Sequence, residues 1–137
     1  MLLAGFASLL VSARGLPLRE GEELGYRVSW AAVPGAGEIR IAAGNDASAP
    51  RPSLRVTTTT STRRLARLLL PFDARAESVF DLATGRLVSL SESSHTRDKH
   101  AEHTVTFDPA APSAVYQRAG DPAARTLTVP PGDPTDL

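Results

Sequence analysis

Short segments in which apolar and polar residues alternate constrain the fold of this chain more than any other feature. The even positions of the first such segment hold Leu24, Tyr26, Val28 and Trp30. A period of two predicts a β-strand with one buried face. A turn-forming run from Val33 to Gly37 follows, and Ile39 and Ile41 then alternate with charged residues. The two segments predict an antiparallel hairpin whose apolar side chains face one core.

Similar segments recur along the rest of the chain, separated by turns rich in Gly, Pro, Asn and Asp. They predict strands over Leu54 to Thr60, Ala74 to Phe80, Leu87 to Ser94, Thr104 to Phe107, Ala114 to Gln117 and Thr126 to Val129. The polar stretch from Ser91 to His103 surrounds a predicted turn near Asp98. Because no helix alternates with these strands, we expect a mainly β fold: an antiparallel curled sheet or half-open β-barrel with one short helix.

That helix is predicted from Arg63 to Leu70, with Ser61 or Thr62 as its N-cap and Pro71 as its stop. Its leucines at positions 65, 68 and 69 recur with helical spacing, and arginines occupy positions 63, 64 and 67. Two interpretations follow. In the first, which we prefer, the leucines cover one end of the curled sheet as a lid. In the other, a basic amphipathic turn rests on anionic lipid.

The N-terminal residues have the pattern of an export signal. Leu2 to Val11 is a mostly apolar run of about ten residues, which is too short for a membrane-spanning helix but suits the core of a signal peptide. Small residues at Val11 and Ala13 predict cleavage after Ala13, although the usual basic start is missing. We therefore expect a signal peptide over residues 1–13, a single β domain over residues 14–137, and a periplasmic or secreted protein without a transmembrane segment. A buried N-terminal strand or helix is the alternative.

Charge and cysteine content exclude several classes of function. The chain has 15 Lys+Arg against 15 Asp+Glu and no Cys. Balanced charge excludes the basic surface of a dedicated nucleic-acid-binding protein, so no nucleic-acid partner is expected. The lack of Cys excludes a disulfide scaffold, thiolate metal sites and cysteine nucleophiles.

Candidate catalytic and metal-binding residues do not combine into a site. His100 and His103 flank Glu102 in a pattern that resembles a metal site, but on a strand they point to opposite faces. Asp73 and Glu77 share a strand face at a spacing of about 13 Å, which is too wide for a glycosidase pair. With Asp81, they are expected to form a surface ladder around Arg75. Because motifs for hydrolases and nucleotide binding are also missing, we expect no enzyme, no metal and no cofactor.

Three stretches of the chain follow one another in a family-like order. They are Gly21 to Glu38, Leu70 to Asp81, and Thr104 to Asp108 followed by Val129 to Pro134. Together they resemble the DUF3108 family of uncharacterised bacterial envelope proteins. The resemblance implies an exported antiparallel β protein without an assigned activity, similar in outline to open-barrel envelope proteins of the LolA and LolB kind. Members usually continue into further strands, so we expect a C-terminally truncated domain.

Two functions remain open from the sequence. The first is a carrier or binding module that holds an apolar small molecule or lipid, with Tyr26, Trp30, Leu65 and Leu69 as candidate ligand-binding residues. For Tyr26 and Trp30, together with Val28, a place in the core is the alternative that the pattern favours. The second is a structural or interaction protein of the cell envelope, whose sheet edge pairs with a strand of a partner protein.

Overall fold

The computed structural model describes residues 18–30 and 33–130, which form eight strands and one helix. The strands are β1 (Glu23–Trp30), β2 (Val33–Asn45), β3 (Ser53–Thr62), β4 (Phe72–Asp81), β5 (Leu87–Thr96), β6 (His100–Phe107), β7 (Ser113–Arg118) and β8 (Arg125–Thr128). The helix α1 (Arg64–Leu69) joins β3 to β4. The predicted signal peptide over residues 1–13 lies outside the described residues.

All eight strands form one antiparallel sheet in which the spatial order is the chain order, from β1 to β8. Each strand pairs only with its neighbours in sequence, and β1 and β8 do not pair with each other, so the sheet is not closed. The mainly β fold with an antiparallel sheet and one short helix is therefore confirmed. Among residues 18–30 and 33–130, no helix has the length and the apolar composition needed to span a membrane.

Local chemistry explains why the strands form and where they turn. The threonine-rich β3 consists largely of β-branched residues, which favour extended backbone. Between β4 and β5, the side chain of Asp81 accepts hydrogen bonds from the amides of Ala83 and Thr84 at 2.8 and 2.9 Å. Gly85 completes this turn with a φ of 71°, which a side chain would disfavour. Across this turn β4 and β5 pair as an antiparallel hairpin, so the strands predicted on either side of it are neighbours in the sheet.

The core of the described residues is small and lies on one side of β2 and β3. Leu18 packs there with Ile41, Ala43 and Leu54, and Ile39 and Val56 contact this cluster. The expectation that the even positions of β1 are also buried is wrong. Leu24, Tyr26, Val28 and Trp30 have exposed fractions of 40%, 47%, 39% and 56%. The reason is that β1 is an edge strand with a neighbour on one side only, and no second layer among the described elements covers it.

The short helix differs from its prediction in its cap and in the direction of its leucines. Arg63 is the N-cap and makes no capping side-chain hydrogen bond. Thr62 is one of the two predicted caps, but its hydroxyl makes other hydrogen bonds. It accepts one from the backbone amide of Phe72 at 2.9 Å and donates one to the carbonyl of Leu70 at 2.9 Å. Ala66 is the buried residue of the helix, which contacts β2. The leucines at positions 65, 68 and 69 are all more than half exposed, so the expectation that they cover an end of the sheet is wrong.

Candidate ligand-binding face

Cross-strand pairing sorts the residues of the sheet onto two chemically different faces. Directly paired residues share a face, and neighbours along a strand alternate. One face carries the even positions of β1 and their partners across the sheet, and we call it the apolar face. The row through its middle runs from Tyr26 to Ile39, Thr60, Ala74, Ser94 and Ala101. The opposite side is called the charged face.

The half of the apolar face formed by β1 to β4 contains no charged residue. Its members are Leu24, Tyr26, Val28, Gly37, Ile39, Ile41, Ala43, Asn45, Leu54, Val56, Thr58, Thr60, Thr62, Phe72, Ala74, Ala76, Ser78 and Phe80. Charged groups enter this face only from β5 onwards. The first is Glu92, whose carboxylate lies 3.2 Å from the imidazole of His103.

The centre of the uncharged half is made of small side chains. Thr58 and Thr60 of β3 lie beside Ala76 and Ala74 of β4. The larger isoleucines of β2 stand on one side of them, and Glu92 of β5 on the other. This arrangement leaves a shallow apolar strip along the two central strands.

The charged face of the same strands is a network of ion pairs. Arg55 binds Asp46, at 2.8 Å, and also Glu77, while Arg75 binds Glu77 at 2.6 Å. The hydrogen bond from Arg75 is the largest cause that lowers the pKa of Glu77, with Arg55 acting in the same direction. Because its charges are paired with one another and an apolar ligand would offer them no partner, this face is not suited to an apolar ligand.

The carboxylates expected to form a ladder each have a separate partner. Arg75 binds only Glu77, whereas Asp73 accepts two hydrogen bonds from Arg67 of α1 at 2.9 and 2.8 Å. The carboxylate of Asp81 accepts its hydrogen bonds from the backbone amides of Ala83 and Thr84 in the β4–β5 turn. A hydrogen bond lowers the pKa of each of the three carboxyl groups. The donor is Arg67 for Asp73, Arg75 for Glu77 and the backbone amide of Thr84 for Asp81. They therefore stay ionised and serve the structure.

The three histidines are divided between the two faces. His95 and His100 lie opposite each other on the charged face, with ring centroids 6.0 Å apart. His103 lies on the apolar face beside Glu92, which confirms that His100 and His103 point to opposite sides. Within the described residues, no group of three or more His, Asp or Glu side chains is arranged to hold a metal ion.

The candidate ligand-binding residues do not converge on one place. Tyr26 lies on the apolar face opposite Ile39, and Trp30 ends β1 opposite Val33. Leu65 and Leu69 lie on α1, exposed to solvent. Whether any of the four contacts a ligand stays a prediction.

The uncharged centre of the face, on β3 and β4, is not among the sequence-based predictions. Its signal in the sequence is the alternation of Ala74 and Ala76 with charged residues, after a run of threonines that includes Thr58 and Thr60. These patterns predict two strands, but they do not show that the small side chains of the two strands lie side by side.

Comparison with known proteins places the chain in a family without a described activity. No curated protein and no solved structure matches it significantly. Residues 25–136 match a family described as a protein of unknown function (DUF3108). This match runs from β1 past β8 and agrees with the resemblance found in the three stretches of the sequence. Because it covers well over half of the residues, the chain belongs to the DUF3108 family.

Proposed function

We propose that this protein binds an apolar ligand, such as an acyl chain or a lipid, on the apolar face of β1 to β4. The observation that carries the proposal is the lack of any charged residue on that half of the face, beside a charged face with many ion pairs. The role is one of binding and not of catalysis. Half-burial of about twelve methylene groups contributes about 5 kcal/mol, which corresponds to a dissociation constant between micromolar and millimolar.

Binding is tested with undecanoic acid that carries a dansyl group, whose emission rises in an apolar environment. We expect the emission to increase when the protein is added and to fall again when unlabelled undecanoic acid competes. An emission that stays at its value in buffer contradicts the proposal.

Two variants of neighbouring threonines locate the site. Thr58 lies between Ile41 and Ala76 on the apolar face, whereas Thr57 lies opposite Glu77 on the charged face. Thr58→Arg places a guanidinium in the apolar strip and is expected to weaken binding by about tenfold or more, because an unpaired charge is costly to desolvate. Thr57→Arg adds the same side chain beside a carboxylate and is expected to leave binding unchanged. Circular dichroism checks that both variants fold, and equal binding by the two places the ligand elsewhere.

The unpaired edge of β1 favours a second candidate function. Within the described residues β1 pairs only with β2, so its outer backbone groups are free to pair with a strand of an envelope partner. Native mass spectrometry of the protein extracted from its own cells separates the candidates. Co-extracted lipid supports the first function, and a co-extracted protein supports the second.

We also propose that the protein is exported to the periplasm or secreted, on the basis of the apolar run and the cleavage pattern that ends at Ala13. Residues 1–20, fused to a reporter that is active only outside the cytoplasm, are expected to give a signal. An inactive reporter, even after a basic start is added upstream, contradicts export.

A further inference from the structure

A second apolar surface lies on α1, at one end of the sheet. It consists of Leu65, Leu68, Leu69 and Leu70, whose exposed fractions are 56%, 71%, 70% and 58%. We call it the leucine surface. Single exposed leucines are common on soluble proteins, but a group of four adjacent ones marks a surface that meets another apolar phase.

The exposure of these leucines is fixed by contacts on the other sides of the helix. Ala66 is buried where α1 contacts β2, and Arg67 holds both carboxylate oxygens of Asp73. The carbonyl of Leu68 accepts a hydrogen bond from Arg97 at 3.0 Å, so the β5–β6 turn is attached to the helix as well. The leucines therefore cannot turn inward without breaking these contacts.

Arginines surround the leucine surface in excess over carboxylates. Glu38 binds Arg63 at 2.9 Å, and Asp73 binds Arg67 at 2.8 Å. Beyond these pairs the same end of the sheet carries Arg27, Arg64 and Arg97, which have no ion-pair partner among the described residues. This end is therefore positively charged.

Two of these arginines converge on one cleft. A Cβ atom built on Gly35 would lie 3.7 Å from Cδ of Arg27 and 3.8 Å from Nε of Arg64, so both side chains flank this glycine. The cleft they line has a volume of about 500 Å³, enough for a phosphate group. Glu38 also lines the cleft, but its carboxylate is bound by Arg40 and Arg63. Arg27 and Arg64 are therefore the arginines of the cleft that an added anion would stabilise.

The backbone at Arg64 is strained in a way that maintains this arrangement. Its φ is 52°, and no other non-glycine residue in the described part of the chain has a positive φ. Strain of this kind persists only where the surrounding structure imposes it, and it occurs often at binding sites.

Trp30 lies at the same end of the strands. β1 ends at Trp30, β3 ends where α1 begins, and β2 pairs with both strands. The indole ring is 56% exposed. An exposed tryptophan at the same end of a sheet as exposed leucines and arginines is the combination found where proteins meet the boundary between lipid headgroups and acyl chains.

We propose that the leucine surface docks the protein on a membrane that contains anionic lipid. The leucines enter the outer acyl region, and Arg27 and Arg64 bind lipid phosphates. This docking surface is distinct from the apolar face, so the two proposals are independent.

Sedimentation with lipid vesicles tests the docking. We expect the protein to bind vesicles of phosphatidylcholine with phosphatidylglycerol, to bind pure phosphatidylcholine weakly, and to be released by salt. Because Trp30 is the single tryptophan, its emission is expected to shift to the blue on binding. Failure to bind anionic vesicles overturns the proposal.

Matched variants show whether vesicle binding depends on the leucine surface or on any exposed leucine. The double change Leu68→Ser and Leu70→Ser, at two leucines that are not candidate ligand-binding residues, is expected to weaken vesicle binding by about tenfold or more. Leu82→Ser is the control, because Leu82 is 46% exposed in the β4–β5 turn at the opposite end of the strands. Binding of the dansyl probe is expected to stay unchanged in all of these variants, so that loss of docking and loss of ligand binding are measured separately.

Charge is tested in the same way. Arg27→Gln with Arg64→Gln is expected to weaken binding to anionic vesicles by about tenfold or more. The control, Arg51→Gln with Arg86→Gln, removes two arginines at the opposite end and is expected to have little effect. If the leucine variants instead abolish self-association in sedimentation velocity and leave vesicle binding intact, the surface is a contact between two copies of the chain and the proposal is wrong.

Discussion

Leu54 and Trp30 show how the position of a residue in the sheet determines its contribution to stability. Leu54 is 2% exposed in the core, whereas Trp30 is 56% exposed at the end of an edge strand. We expect Leu54→Ala to lower the free energy of unfolding by about 2–4 kcal/mol, because it leaves a cavity. Trp30→Ala is expected to lower it by less than about 1 kcal/mol. Urea denaturation of the two variants checks this order, and a larger loss for Trp30 would show that the indole is covered in solution.

Glu77 connects the ion pairs of the charged face to the pH dependence of stability. Its pKa is lowered from the ordinary value of 4.5, first by the hydrogen bond from Arg75. The folded state thus holds this proton more weakly than the unfolded state, so the stabilisation is complete above pH 4.5 and disappears as the pH falls through the lowered pKa. Glu77→Gln is expected to lower the free energy of unfolding by about 1 kcal/mol at pH 7. The difference from the unchanged protein should shrink in urea titrations below pH 4.5, and the exposed Glu20→Gln serves as the control. A difference that is constant with pH contradicts the assignment.

The individual strands could be predicted well from the sequence because alternation is a local property. Leu24 and Tyr26 of β1 do share one face with Ile41 and Ile39 of β2, as expected. Burial could not be predicted in the same way, because alternation shows which residues share a face and not whether another layer covers it. For α1, leucine spacing predicted a stripe, but the direction of the stripe depends on the ion pair of Arg67 with Asp73 and on the packing of Ala66 where the helix contacts β2.

Thr62 determines how β3 passes into α1 and β4. Its hydroxyl accepts the Phe72 amide at 2.9 Å. Thr62→Val removes this acceptor at nearly constant volume, and we expect the free energy of unfolding to fall by about 1 kcal/mol and the Phe72 amide to exchange with solvent faster. Thr60→Val, two residues earlier on the same face, is the control, because the hydroxyl of Thr60 makes no hydrogen bond within the part of the chain that the structure describes. Equal exchange of the Phe72 amide in both variants would show that the contact of Thr62 does not hold this junction.

At the scale of the whole molecule, the simple strand order follows from the short turns between the strands. A turn as short as the one at Asp81 to Gly85 brings the two strands that it joins side by side, so they pair with each other. The alternation and the turn at Val33 to Gly37 predicted the pairing of β1 with β2 correctly, whereas the pairing across the longer connection that contains α1 was not predicted. The sequence left open whether the sheet closes, because closure depends on the curvature summed over all eight strands and not on any one turn.

A sheet in which each strand pairs only with its sequence neighbours can open from its ends inward, because an outer strand can leave without breaking the pairing between the others. We expect native-state hydrogen exchange to show the strongest amide protection in β2 and β3, which contain the core, and in β4, which pairs with β3. The weakest protection is expected in β8, whose four residues are all exposed. Undecanoic acid bound to the apolar face of β1 to β4 should slow exchange in those strands and leave β7 and β8 unchanged. Protection as strong in β8 as in β3 would show that the sheet unfolds as one unit, and the separation of a stable binding half from a weakly held outer half would then be wrong.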